Sequence, residues 1–165
     1  MLSERLEIRL PTEADRARFV SLFCDGEFMV FTAGVMAPPA ANAKFDRMLE
    51  RAAEFPYAKQ PVVERSTGLV AGYVGMDWFD FEGERRLEFG WRLVAEARGK
   101  GYATEASRAL LDSAAGSGFR GEVFAIIDPT NAASLNVARK LGFTFWKEAV
   151  VGGFVDTLHR LRIGE

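Results

Sequence analysis

"LEFGWRLVAEARGKGYATEA", residues 87–106, decides the fold. It opens as a short apolar strand, "LEFGWRL" (87–93), with a glycine at its centre. A glycine inside a strand marks a bulge or a close approach of another group to the backbone. Gly99 and Gly101 follow, and from about Tyr102 Ala103, Ala106, Leu110, Leu111 and Ala114 recur at steps of three and four, the spacing of a buried helical face. Two glycines at a helix start sacrifice backbone order and admit something close to the peptide groups. A P-loop needs Lys-Ser/Thr after the second glycine, where Tyr102-Ala103 stands. A dinucleotide fingerprint needs a small residue at Thr104, an early strand and a later acid, and this stretch lies past the middle of the chain. Two readings remain open. The helix N-terminus, with Arg98 and Lys100 beside it, cradles a diphosphate on bare N–H groups, or the stretch is a surface turn that starts a helix.

Working outward, "RLEIRL" (5–10) alternates with period two and predicts a strand. Thr12 caps a helix over "EADRARFVSLF", with Phe19, Leu22 and Phe23 on one side. "APPAAN" (37–42) is expected to break the chain, and "AKFDRMLERAAEF" resumes as a helix on Phe45, Met48, Leu49 and Ala52. "PVVERSTGLVAGYVGMDWF" (61–79) predicts two strands around Ser66-Thr67-Gly68, and "DFEGERR" a second turn. Gly116 and Gly118 end the helix that begins at Tyr102. "EVFAII" (122–127) is a buried strand, "NAASLNVARKL" (131–141) a helix closed by Gly142, and "TFWKEAV" and "VDTLHRLRI" two final strands. The order is β-α-α-β-β-β-α-β-α-β-β, without repeats. It predicts an α/β (α+β) fold, a mixed sheet of six to seven strands with helices on both faces.

With 165 residues the chain is expected to form a single domain over 1–165 with a core that needs no disulfide or metal. A net charge of −2, without blocks of like charge, argues against a dedicated nucleic-acid binder. The one cysteine, Cys24, fits a reducing compartment. The opening "MLSERLEIRL" lacks a signal-peptide core and no apolar run spans a bilayer, so a cytoplasmic protein without membrane partners is expected.

The strand with its internal glycine, the loop after it and the later "NAASLNVARKLGF" together resemble the GNAT superfamily of acetyl-CoA-dependent N-acyltransferases. The superfamily signature, Gln/Arg-x-x-Gly-x-Gly/Ala, is met by Arg98, Gly101 and Ala103. The 87–106 stretch, the opening "SERLEIRLPTEAD" and the "VVERSTGLVAGYVGM" hairpin are similar to the RimJ/RimL-type branch of ribosomal-protein alanine acetyltransferases. The resemblance covers nearly the whole chain. It implies a single GNAT domain that uses acetyl-CoA as cosubstrate and needs no metal. The acceptor is a primary amine, on a protein N-terminus or a small molecule, and attacks the thioester directly. A homodimer is left open. The rival from another class is a catalytically silent CoA-binding module that acts as a sensor or subunit.

The same resemblance assigns residues. The pyrophosphate of CoA would sit on Arg98, Gly99, Lys100, Gly101, Tyr102 and Ala103. The strand around Trp91, Arg92 and Leu93 would splay from "EVFAII", and its unpaired backbone groups would hold the pantetheine arm and polarise the thioester carbonyl. Such a donor is worth about 3–4 kcal/mol in a barrier. Asn131 and Ser134 would contact CoA near its sulfur. Two positions depart from the pattern. Ala95 stands where relatives often carry proline, and Ala138 occupies the slot of a tyrosine that protonates the leaving thiolate. Ser134 is the nearest replacement, directly or through water.

An amine must lose a proton before it attacks, and Glu88 is the candidate base, flanked by Leu87, Phe89 and Trp91. That apolar setting is expected to raise its pKa. The competing reading is a solvated carboxylate, or one paired with Arg85, Arg86 or Arg92. His159 in the last strand reads as structural, and Cys24 among Leu22, Phe23 and Phe28 as a small buried hydrophobe. Glu105 is expected to favour the helix N-terminus electrostatically. Phe28, Met29, Phe31, Trp78, Phe79 and Phe81 are either acceptor-pocket wall or core.

Overall fold

A computed structural model describes residues 1–164. Seven strands form one sheet: β1 (Leu6–Ile8), β2 (Gln60–Glu64), β3 (Val70–Phe81), β4 (Glu84–Leu93), β5 (Gly121–Ile127), β6 (Thr144–Val151) and β7 (Phe154–Ile163). Four helices connect them: α1 (Arg16–Phe23), α2 (Pro38–Glu54), α3 (Tyr102–Gly116) and α4 (Ala132–Leu141). The element order is the one the hydrophobic periodicity predicts. The strands lie in the order β1-β2-β3-β4-β5-β7-β6. All neighbours are antiparallel except β4 and β5, so the sheet is mixed.

Local chemistry sets the helix ends. Thr12 heads a short 3-10 turn before α1, and its N–H donates to Asp15 Oδ2 at 2.8 Å. Asp15 is buried because Arg9 clamps it with two bonds of 2.7 and 2.8 Å. Pro38 and Pro39 correct the expectation of a break at 37–42. They form the first turn of α2, where a missing N–H costs no hydrogen bond and the fixed φ suits a helix. Gly142, at φ 92°, closes α4 in the left-handed conformation and hands Phe143 to the core.

Strand alternation separates two faces. On one, Tyr73 lies opposite Arg92, Gly75 opposite Gly90 and Asp77 opposite Glu88. The α1–α2 connection covers this face, since Arg92 reaches the carbonyls of Phe28 and Val30. On the other, Phe89 and Trp91 meet Phe143, which follows α4. The buried core runs through both, from Phe19, Phe23 and Phe45 to Phe89, Leu110 and Val123.

Two features break the regularity of the sheet. The parallel pair β4–β5 shares a single residue match, Glu88 with Phe124. Beyond it β4 stays on β3 up to Leu93 while β5 parts from it. At Gly75 and Gly90, which face each other, the chain before β2 crosses the sheet. A Cβ on Gly75 would stand 2.4 Å from Ala58 O and 2.7 Å from the Lys59 Cα. Met76 N–H donates to Tyr57 O at 2.8 Å and fixes that crossing.

Gly75 sits at φ 148°, so a side chain there meets both backbone strain and the crossing chain. Gly75→Ala is expected to lower unfolding free energy by about 2–3 kcal/mol. Gly68→Ala, at φ 73° with open space above it, carries strain alone and should lose about 1 kcal/mol. Urea titration of both variants checks the difference, and equal losses would mean that the crossing yields freely.

Candidate functional site

The parting of β4 from β5 opens a cleft of about 400 Å³. One side is β4 from Glu88 to Leu93, the other is the end of β5, Ala125 to Ile127. The N-terminus of α3 and the first turns of α4 close one end. Phe28, Val30 and Phe31 of the α1–α2 connection close the other.

The 98–104 loop has its glycines where backbone geometry demands them. Gly99 and Gly101 take φ of 73° and 82°, the left-handed region that side chains resist. No atom lies within 4 Å of where a Cβ would stand on Gly99. Among the described residues, the N–H groups of 99–104 find no acceptor in the protein. A run of bare donors at a helix N-terminus is an anion site by its geometry. The loop is braced from outside. Arg5 donates to the Lys100 carbonyl at 2.9 Å and to Glu105 Oε2 at 2.8 Å, and Ser3 Oγ donates to Glu105 Oε1 at 2.7 Å. Burial alone would raise the Glu105 pKa. The Arg5 N–H, the Ser3 hydroxyl and the Arg5 guanidinium outweigh it and hold the carboxyl below its usual range. Glu105 thus serves the loop through the N-terminal segment rather than through the dipole alone.

The charged side chains of the loop are turned to structural work. Arg98 donates through Nε to Leu93 O at 3.1 Å and through Nη2 to Glu27 O at 2.9 Å. Lys100, alone among the residues assigned to this site, does not line the cleft; its ammonium lies 3.9 Å from Glu64 and over the Tyr102 ring. The Tyr102 hydroxyl donates to Glu64 at 2.5 Å. Trp91, Arg92, Leu93, Gly99, Gly101, Ala103, Asn131 and Ser134 all line the cleft, with Arg98 and Tyr102. Asn131 caps α4 by accepting the Ser134 N–H at 3.1 Å. The Ser134 hydroxyl has no hydrogen-bond partner among the described residues. Ala138 is buried in α4, so the tyrosine slot offers no proton.

Glu88 also lines the cleft, but its setting corrects the sequence expectation. It is neither wrapped in apolar groups nor paired with Arg85, Arg86 or Arg92. Lys59 donates to Glu88 Oε2 at 3.2 Å, and the two side chains are 19% and 28% exposed. The pair lies over Gly90, where a Cβ would stand 2.8 Å from Lys59 Nζ and 3.0 Å from Glu88 Oε1. Burial pulls the Lys59 pKa down, and the Glu88 carboxylate more than restores it, so Lys59 stays protonated. Tyr73 stands beside them. Its ring lies under the Lys59 ammonium at 5.3 Å, and its oxygen accepts from Arg92 Nε at 3.3 Å. Burial raises the phenol's pKa, and the Lys59, Arg92 and Lys44 charges bring it below the usual value.

Lys59 and Tyr73 carry no sequence motif. Gly90 is their only trace, as a strand glycine awaiting a close neighbour. Of the six aromatic and Met candidates, Phe28 and Phe31 line the cleft. Met29 is core, Phe79 and Phe81 pack with Phe124 and Trp146, and Trp78 lines a separate edge groove. His159 bonds Thr157 in β7, with burial lowering its pKa, and Cys24 is half-buried against the core. Among the described residues no cluster of His, Cys, Asp and Glu could hold a metal, and no helix is long and apolar enough to cross a membrane.

Residues 5–144 match the acetyltransferase (GNAT) domain family. YkkB of Bacillus subtilis, itself uncharacterised, is 27% identical over 148 residues, which cover 89% of this chain and 86% of YkkB. An acetyltransferase from Agrobacterium tumefaciens superposes with a TM-score of 0.83 at 25% identity, covering 98% of this chain and 92% of the other. RimL, a ribosomal-protein alpha-N acetyltransferase solved with coenzyme A, has the same fold, with a TM-score of 0.79 at 16% identity over 99% of this chain and 97% of its own.

The Glu105 brace has a pH signature. Its folded pKa is below the unfolded value, so its contribution is complete at neutral pH and is lost as pH falls through the folded pKa. Glu105→Gln should cost about 1–3 kcal/mol at pH 7. The gap between wild type and variant should begin to narrow as pH falls through the ordinary carboxylate range and close once it is below the depressed folded pKa. Urea unfolding at both pH values checks this, and a gap that persists in acid would refute the assignment.

Proposed function

We infer the chemistry of this cleft from one premise: the chain belongs to the GNAT acetyltransferase family. It is an N-acetyltransferase that draws its acetyl group from acetyl-CoA. The observation that carries the detailed reading is the convergence of two sets of unpaired backbone groups on one cleft. One is the bare N–H run of 99–104, the other the β4 edge beyond Glu88.

The fit of CoA to these residues rests on shape and donor chemistry. Bare N–H groups over Gly99 and Gly101 suit phosphate oxygens, and a side chain at either glycine would be strained. The binding set is Gly99 to Ala103 through backbone atoms, with Arg98 holding the loop's shape. The β4 edge at Trp91, Arg92 and Leu93 takes the extended arm, and Asn131 and Ser134 lie at the sulfur end. Bound acetyl-CoA supplies an activated carbonyl with a good leaving group. Glu88 takes a proton from the acceptor ammonium, and the freed nitrogen pair forms the new C–N bond. A β4 N–H steadies the negative charge that grows on the carbonyl oxygen. As the C–S bond breaks, the Ser134 hydroxyl, or a water it holds, gives a proton to sulfur and regains one from the attacking nitrogen, which sheds its second proton as it becomes an amide. The acceptor is a primary amine, on a protein N-terminus or a small molecule. The likeness of the 87–106 stretch to the RimJ/RimL-type branch supports a place in that branch.

Buried Ala138 favours a second reading, a silent CoA-binding module. Release of free thiol from acetyl-CoA with an amine and peptide panel separates the two, and binding without any release would select the module.

CoA at about one hundred times its Kd should stabilise the fold by about 2.7 kcal/mol, and NADH or ATP by much less. Gly101→Val should remain folded and lose that shift, because its φ of 82° resists a branched side chain at the anion site. A folded variant that binds CoA normally would disprove the loop assignment.

Glu88→Gln keeps the shape and removes the proton acceptor. It should lower kcat by about 10²–10⁴-fold, leave the CoA Kd nearly unchanged and recover part of the rate at high pH. Superimposable pH–rate profiles of wild type and variant would make Glu88 a bystander.

A further inference from the structure

The polar floor of the cleft says more about the acceptor than the family does. Glu88, Gly90 and Arg92 alternate along one face of β4, and Lys59 reaches in over the glycine between them. Lys59 occupies Glu88 Oε2, while Oε1 has no partner among the described residues. Arg92 spends Nε on Tyr73 and Nη1 on the carbonyls of Phe28 and Val30, which leaves Nη2 without a partner among the described residues. The Tyr73 hydroxyl accepts from Arg92, and its own proton is donated to no described residue. The floor therefore offers one open carboxylate oxygen beside two cations and a free phenol O–H.

This arrangement suits some amines poorly. An acceptor bearing only an ammonium would add a third cation around one carboxylate that Lys59 already neutralises. An acceptor with an anionic group a few bonds from its amine adds no net charge. Its ammonium meets Glu88 Oε1, and its anionic oxygens meet Lys59, Arg92 Nη2 and the Tyr73 hydroxyl. Phe28, Val30 and Phe31 supply an apolar wall next to these groups. Lys59 remains protonated beside Glu88, consistent with a fixed positive partner for such an anion.

We propose that Lys59 is a specificity-determining residue, which with Arg92 selects a small zwitterionic acceptor, an α-amino acid with an apolar side chain, over a simple amine or a peptide N-terminus. The proposal rests on the N-acetyltransferase reading of the same cleft and narrows its acceptor. No bond is made to Lys59; its ammonium pairs with the acceptor's carboxylate while the amine reacts.

The experiment measures binding first and turnover second. L-phenylalanine, L-phenylalaninamide and phenethylamine are titrated calorimetrically into the protein with and without saturating CoA. The amide presents the ammonium and side chain of a peptide N-terminus without a free carboxylate. The acid is expected to bind at least about tenfold more tightly than either neutralised partner, the size of one charge-assisted contact. Lys59→Met should erase that preference and Lys59→Arg should keep most of it. Because the wild-type comparison needs no variant, a misfolded Lys59→Met leaves the test intact. An amide or amine that binds as tightly as the acid overturns the proposal, as does a preference that survives Lys59→Met or an absence of binding by all three. Acid-selective binding without thiol release from acetyl-CoA would uphold the selectivity and defeat the transfer reading instead.

Discussion

Among the described residues β4 and β5 are the only two strands that pair in parallel, and they hold each other at one residue pair, Glu88 with Phe124. A parallel pair needs a crossover, supplied here by α3, and a crossover helix places its N-terminus beside the strand that precedes it. Because the two strands then part, that N-terminus opens onto a gap instead of a closed sheet. The gap survives because β4 keeps its full antiparallel register with β3, from Phe81–Glu84 to Gly72–Leu93. One side of β4 is thus fully paired while the other offers backbone groups to something outside the protein. Ligand sites at the carboxyl ends of sheet strands, where neighbouring connections diverge, obey the same logic.

The second constraint is the pair of glycines facing each other on β3 and β4. Gly75 admits the backbone of Ala58 and Lys59, and Gly90 admits the end of the Lys59 side chain. Two missing side chains let the chain before β2 cross the sheet and deliver a cation to the cleft floor. Without Lys59, Glu88 would be a half-buried carboxylate at the end of the β4–β5 contact. With it, the carboxylate is paired at Oε2 and, among the described residues, open at Oε1. In the proposed reaction, Oε1 is the oxygen left to meet the acceptor ammonium.

Element order, and the loop at 98–104, were legible because they depend on local rules. Period-two alternation wrote β1, helical spacing wrote α2 and α3, and Gly99 and Gly101 stand at positive φ, as glycines at a helix start allow. The prolines at 38 and 39 misled because the same residue that breaks a helix interior is welcome in its first turn, and only the α2 N-terminus settles which applies. The Glu88 environment was not legible. Its partner is 29 residues away and is brought there by the chain crossing at Gly75, which no periodicity records. Phe79 and Phe81 pack with Phe124 and Trp146 rather than on the cleft for a related reason. Alternation says which residues share a face, but the face of β3 changes cover along its length, from the α1–α2 connection near Tyr73 to Phe124 and Trp146 near Phe79.

The arginines show how the site divides labour between charge and backbone. Arg92 and Arg98 lie on either side of the β4 end, and both spend donors on main-chain carbonyls of one segment: Glu27, Phe28 and Val30. That segment has little regular structure and carries Phe31 at φ 61°, so it has few backbone bonds of its own to fix it. The guanidinium fork supplies them, with several donors in fixed geometry. The anion site beside it is then left to N–H groups, which are placed by the backbone and need no side-chain ordering when a ligand arrives. A lysine at 92 would keep the charge but not the fork. It would loosen the 27–30 segment while leaving the bare N–H groups of 99–104 untouched, so the two halves of the cleft are separable in chemistry though they share a strand.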